Sequence, residues 1–156
     1  MSPTTSHDPS AFVANTAKVI AIYGGWPTFH DAEVVSLSLD RGNFSDIEPS
    51  MVVRVWTFKV HRDQTDSNGY YRTTDYSIVT FRFNCPDEWS VEGFNHQNVL
   101  AEITFEFIDG LVHVTMCGLY GIHAAFRCSS ASVEAVELLG NADGNTVVRD
   151  RGGPSK

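Results

Sequence analysis

Ala11-Phe12-Val13-Ala14-Asn15-Thr16-Ala17-Lys18-Val19-Ile20-Ala21-Ile22-Tyr23-Gly24-Gly25-Trp26-Pro27 is the stretch whose reading decides the fold. Phe12, Val13, Thr16, Val19, Ile20 and Tyr23 recur at three- and four-residue spacing. That spacing lays one apolar stripe along an amphipathic helix over residues 11–23. Asp8 or Ser10 can cap its start. Gly24-Gly25 ends it, since glycine takes the left-handed conformation after a helix without strain. Pro27 cannot continue a helix and pushes Trp26 into an extended conformation.

Everything downstream reads as strand. Residues 32–41 alternate, with Val35, Leu37 and Leu39 on one face. Residues 51–62 carry large groups on both faces, as a central strand does, and residues 70–84 return antiparallel across the turn signal Asn68-Gly69. Cys85-Pro86-Asp87-Glu88-Trp89 breaks the pattern. Residues 100–108 and 111–116 form a hairpin on Asp109-Gly110, and residues 120–128 and 132–138 complete a run of strands. No strand–helix–strand unit repeats, which argues against a parallel doubly wound sheet. The expected class is α+β: the N-terminal helix packed on an antiparallel sheet of six or seven strands, arranged as a meander that can close as a sandwich. Residues 1–9 are expected to be a disordered leader, 10–139 a single domain and 140–156 a disordered tail, the ends being polar and rich in Ser, Pro, Gly and Asp.

At 156 residues the chain can build a core without metal or disulfide staples. No apolar run approaches the roughly 18–20 residues that a membrane-spanning helix needs, and Met1–Ser10 lacks the features of a secretory signal. Eleven basic against nineteen acidic residues give a formal charge of −8, which removes the basic footprint that nucleic-acid binding requires. Cys85, Cys117 and Cys128 are odd in number and have no CxxC spacing, so they read as reduced thiols in a cytoplasmic protein, with Cys117 and Cys128 as small core residues.

Three groups could carry chemistry. Within Gly24–Val34, alternation along a strand puts Asp31 and Glu33 on one face, where they could flank a proton-transfer or cation site, and His30 on the other. The plainer reading has Asp31 accepting backbone N–H groups and Glu33 solvated. The six histidines show no HxH or HxxxH pair, so no metal site is expected, and His113 and His123 read as strand-face residues with local hydrogen bonds. Asn95-His96-Gln97-Asn98 offers amide and imidazole groups to a partner, or can close its own loop through Asx turns. Gly118-Leu119-Tyr120-Gly121 is a glycine-bounded turn without the lysine of a phosphate loop, and no nucleophile motif is present, so no catalytic residue, cofactor or enzyme activity is expected.

Tyr23-Gly24-Gly25-Trp26-Pro27-Thr28-Phe29-His30-Asp31-Ala32-Glu33-Val34, with Gly93-Phe94-Asn95-His96-Gln97-Asn98-Val99-Leu100, Tyr120-Gly121 and Phe126-Arg127-Cys128, resembles the immunity protein 50 family of bacterial polymorphic toxin systems. Thr28 departs from the Ser of the family pattern G-x-W-P-S-F-H-D-A-E-V. The resemblance implies a cytoplasmic protein that neutralises a cognate toxin by stoichiometric binding, and the acidic charge suits a basic, nuclease-like partner. No site residues transfer with it. Asp31, Glu33, Asn95, His96, Gln97 and Asn98 are the expected partner-binding residues, and Trp26, Pro27, Phe29 and His30 the structural motif. The alternative is a small metal-dependent enzyme or ligand-binding domain using Asp31, Glu33 and His30.

Overall fold

The computed structural model describes residues 8–43 and 45–140. Two sheets face each other, antiparallel throughout except where a short N-terminal strand joins its neighbour in parallel. In chain order the elements are β1 (Val13–Ala14), α1 (Ala17–Tyr23), β2 (Glu33–Asp40), β3 (Ser50–Thr65), β4 (Tyr71–Asn84), β5 (Asp87–Glu92), β6 (Leu100–Ile108), β7 (Leu111–Gly118), β8 (His123–Cys128) and β9 (Ser130–Gly140). One sheet runs β1-β9-β4-β3-β2 and the other β5-β8-β7-β6. Of the expected leader and tail, only Asp8, Pro9 and Gly140 fall within the described residues.

The α+β expectation is overturned: the molecule is mostly β, a two-sheet sandwich with a single short helix among the described residues. The helix expected over 11–23 occupies only its second half. Phe12 and Val13 donate their N–H groups to the Pro9 carbonyl at 3.0 and 2.8 Å, and Asn15 takes φ 62°. Asparagine accepts that left-handed conformation more readily than most residues, and it breaks the helical path. Val13 and Ala14 instead pair in parallel with Ala131 and Ser132. Part of the apolar stripe is therefore satisfied by a strand bridge, and Phe12 stacks on Phe107 at 5.6 Å between ring centroids. Only Val19 of α1 is fully buried. At about 1.5 Å per residue the helix is roughly 10 Å long, too short to cover a sheet whose strands lie about 4.8 Å apart. The second sheet covers it instead. The helix end behaves as its glycine demands: Gly24 sits at φ 76° and its N–H reaches the Ile20 carbonyl at 2.8 Å.

β6, β7 and β8 form the expected meander, turned at Asp109 and Gly110 with φ 51° and 79°, the two positive values of a type I′ turn. β5 is an added strand where a break was expected. It pairs with β8 through a bulge between Asp87 and Ser90, and Pro86 just before it removes no ladder bond.

The core lies between the inner faces. Val53, Val55, Val79, Phe81, Phe83 and Val133 come from the five-stranded sheet, and Ile103, Phe105, Val114, Met116, Ala124 and Phe126 from the other. Edge-to-face contacts join them: Phe83 meets Phe126 at 4.8 Å, and Trp26 meets Phe81 and Phe105 at 6.2 and 5.7 Å. Of the cysteines only Cys128 is buried. Cys117, expected in the core, is exposed on the opposite face of β7. Its neighbours Val114 and Met116 take the inward positions, so period-two alternation turns it outward.

Candidate functional site

The two sheets are stitched at one edge by the segment between α1 and β2. Asp31 donates its N–H to the Leu100 carbonyl at 2.9 Å, Leu100 returns its N–H to Ala32 at 2.8 Å, and Val34 donates to Asn98 at 2.9 Å. Glu33 forms a bridge pair with Val99 while also pairing with Trp56 of β3. The edge of the five-stranded sheet and the residues leading into it thus pair with Asn98 and Val99 of the loop before β6 and with Leu100, the first residue of β6. Val99 in turn accepts the N–H groups of Leu119 and Tyr120 at 2.8 and 3.2 Å. Three segments distant in sequence, 28–34, 93–100 and 118–122, meet at this end of the molecule.

The amide loop splits into two pairs. Asn98 is buried: its Nδ2 donates to Asn95 O at 2.6 Å and Val34 O at 3.3 Å, and its Oδ1 accepts the Asn95 N–H at 2.9 Å. Asn95 closes an Asx turn, with Oδ1 accepting the Gln97 N–H at 2.8 Å and Nδ2 donating to Gly93 O at 2.9 Å. His96 and Gln97 are left exposed on the loop that the two asparagines hold. Gly121 closes this arrangement from the other side at φ 75°, where a Cβ would collide with the Gln97 carbonyl oxygen and lie 2.6 Å from Asn98 Oδ1.

Along 26–33 the chain is not a strand until Glu33. Phe29 and Asp31 both take left-handed backbone, φ 65° and 63°. For a phenylalanine that is unfavourable, and the burial of its ring against Trp26 and Phe81, at 5.6 and 5.7 Å, holds it there. Strand alternation therefore does not apply at His30, and the expected separation from Asp31 is wrong: His30 Nδ1 lies 3.2 Å from Asp31 Oδ2, with both side chains more than half exposed at 60% and 58%. Glu33, half-buried in the β2–β3 ladder, stands apart from them.

His30 and Asp31 line an open cleft of about 530 Å³ between Tyr23–Asp31 and the β3–β4 hairpin, with Phe58, Lys59, Arg62 and Tyr71 on the far wall. Glu33 is not among its residues. Among the described residues no group of three or more His, Cys, Asp or Glu could hold a metal ion. No helix of those residues is long and apolar enough to cross a membrane.

The chain matches the family model described as immunity protein 50 over residues 15–139. The chain belongs to the immunity protein 50 family. No curated protein and no solved structure matches it. The matched span runs from the turn at Asn15 almost to the end of β9, so the family domain takes in both sheets apart from β1, and all three segments that meet at the Asn98 end. Of the segments that carry the family resemblance, Tyr23–Val34, Gly93–Leu100 and Tyr120-Gly121 touch one another here, and Phe126-Arg127-Cys128 lies on β8. Phe94, Leu119 and Tyr120, named from the sequence as members of the amide loop and the glycine-bounded turn and not as partner-binding residues, stand 47%, 48% and 64% exposed beside the amide loop. The available signal was a large apolar residue next to a glycine in a turn, at Gly93-Phe94 and Tyr120-Gly121.

Proposed function

We propose that this immunity protein 50 family member neutralises a cognate bacterial toxin in the cytoplasm by stoichiometric binding, without chemistry of its own. The observation that carries the reading is the meeting of three of the family's characteristic segments at one loop end, where buried Asn98 and the Asx turn of Asn95 brace exposed His96 and Gln97. Binding surfaces favour side chains presented on a braced loop, because less conformational entropy is lost on association. Asn95 and Asn98 are positioning residues in this reading, and His96, Gln97, Asp31 and Glu33 face the partner. A formal charge of −8 favours a basic toxin such as a nuclease, since opposite charge speeds encounter.

The test is co-expression with the polypeptide encoded beside this chain's gene. The expected result is restored growth of the toxin-expressing cell and a one-to-one complex by size-exclusion chromatography. Growth arrest that persists, with no complex, sinks the reading. His96→Ala with Gln97→Ala should weaken the complex while leaving the thermal midpoint unchanged, because both side chains are exposed.

A further inference from the structure

The four-stranded sheet turns its inner face to the core and leaves its outer face open. Register fixes what that face carries. Glu106, His113, Arg127 and Asp87 lie in one row across β6, β7, β8 and β5, and Thr104, Thr115, Ala125 and Ser90 in the next. Beyond them Glu102 faces Cys117, and His123 faces Glu92. Each of these residues is exposed or half-buried, while Ile103 and Phe105 on β6, Val114 and Met116 on β7, and Ala124 and Phe126 on β8, which alternate with them, are buried.

The charge on this sheet is one-sided. Its strands hold Asp87, Glu88, Glu92, Glu102 and Glu106 against a single base, Arg127. Arg127 is already engaged, with Nε 2.7 Å from Asp87 Oδ1 and Nη2 3.1 Å from Glu88 Oε1, and the Asp87 hydrogen bond raises its pKa further. Among the described residues Glu92, Glu102 and Glu106 have no ion-pair partner. The strands of the other sheet are close to balanced, with six acids and five bases, and Arg82 there pairs with Glu134 at 3.1 Å. Its outer face also carries an aromatic cluster of Trp56, Phe58 and Tyr76.

We propose that the outer face of β5-β8-β7-β6 is the docking surface for a basic protein partner, the toxin, with Glu92, Glu102 and Glu106 meeting its lysines and arginines. This rests on the binding reading given above and assigns the face that performs it. The middle row of Thr, Thr, Ala and Ser makes the face flat, so long basic side chains can reach the carboxylates on either side of it without a steric barrier. β6 leaves the braced loop at Leu100, so the face is continuous with the His96–Gln97 end and one partner can cover both. Trp89, 50% exposed on the bordering edge strand β5, supplies an apolar anchor of the type enriched at interfaces.

The experiment measures association of the purified chain with an inactive variant of the polypeptide encoded beside its gene, at low and high salt. The triple variant Glu92→Lys, Glu102→Lys and Glu106→Lys is compared with Glu48→Lys, Asp63→Lys and Glu137→Lys, an equal charge change placed away from the face. The face variant should associate at least about tenfold more slowly at low salt, and the control within about twofold of wild type. Added salt should narrow the difference. If the Lys variant does not fold, Glu92→Gln, Glu102→Gln and Glu106→Gln give the same test with a smaller effect. Equal rates for face and control variants overturn the face assignment alone, as does wild-type association that ignores salt. No wild-type binding at all overturns the binding reading, and this proposal with it.

Discussion

Asn98 and Val34 hold each other by reciprocal hydrogen bonds: the Val34 N–H reaches the Asn98 carbonyl at 2.9 Å, and the Asn98 side-chain Nδ2 reaches the Val34 carbonyl at 3.3 Å. One residue thus serves the backbone of β2 and, through Asn95, the fold of its own loop. Because the amide is buried, its loss leaves the Asn95 N–H and two carbonyls without their partner. Asn98→Ala should therefore cost about 2–3 kcal/mol, the upper part of the roughly 1–3 kcal/mol range for stranding a buried polar group. Urea unfolding would show it as a lower midpoint at unchanged slope. A change below about 0.5 kcal/mol would mean that water satisfies the loop equally well.

Gly121 and Gly110 separate two effects of adding a methyl group. Both sit at positive φ, 75° and 79°, where an L side chain is strained by about 1–2 kcal/mol. At Gly110 nothing lies within 4 Å of the added Cβ, whereas at Gly121 it strikes backbone oxygen and the Asn98 amide. Gly110→Ala should cost about 1–2 kcal/mol, and Gly121→Ala clearly more, about 3 kcal/mol or above, because the clash is with atoms that cannot swing away. Equal costs from parallel thermal melts would show that the loop yields to the methyl group.

The same contrasts show what sequence could and could not reveal. The Asp109-Gly110 hairpin was legible because a type I′ turn depends on two adjacent residues. The Gly24 cap was legible for the same local reason. β5 was hidden because Cys85-Pro86 is a turn signal, and what makes 87–92 a strand is the free edge of β8, set by a pairing with Arg127 and its neighbours far along the chain. The first half of the expected helix failed in the same way, since the partner of Val13 is Ala131. Seven helical residues remain, four of them β-branched or aromatic, where about 12–15 are needed for stability in isolation, so tertiary pairing decides the conformation here. At the candidate site the segments could be named but not their meeting. Alternation placed His30 opposite Asp31, and the left-handed turns at Phe29 and Asp31, fixed by ring packing, brought them together.

Trp26 lies 7% exposed and touches Phe29, Phe81 and Phe105 edge to face at 5.6, 6.2 and 5.7 Å. Trp26→Ala should cost about 3–5 kcal/mol through lost burial and the cavity left behind. Trp26→Phe keeps an aromatic in the site and should cost less, about half as much. Near-UV circular dichroism with thermal melting would read both. An intact Trp26→Ala melt with lost partner binding would instead place Trp26 at an interface rather than in the core.

Cys128 gives the molecule an alkaline weakness. Burial, aided by the nearby Cys85, pushes its thiol from an ordinary 9.0 to about 12. Below pH 9 the thiol is protonated in both folded and unfolded chains, so it contributes no pH dependence there. Above pH 9 the unfolded chain releases the proton and the folded one keeps it until about pH 12, so stability falls across that window. Cys128→Ala should flatten the decline by up to one proton's worth of slope, measured as unfolding free energy against pH. Part of the slope should persist, because burial also raises the Tyr23 hydroxyl above its ordinary 10.0. At pH 8 a thiol reagent should label exposed Cys117 in the native protein and reach Cys128 only after denaturant is added, since the buried thiol stays protonated and shielded. Native labelling of Cys128 at the rate of Cys117 would mean that β8 opens readily, and the alkaline slope would then be absent as well.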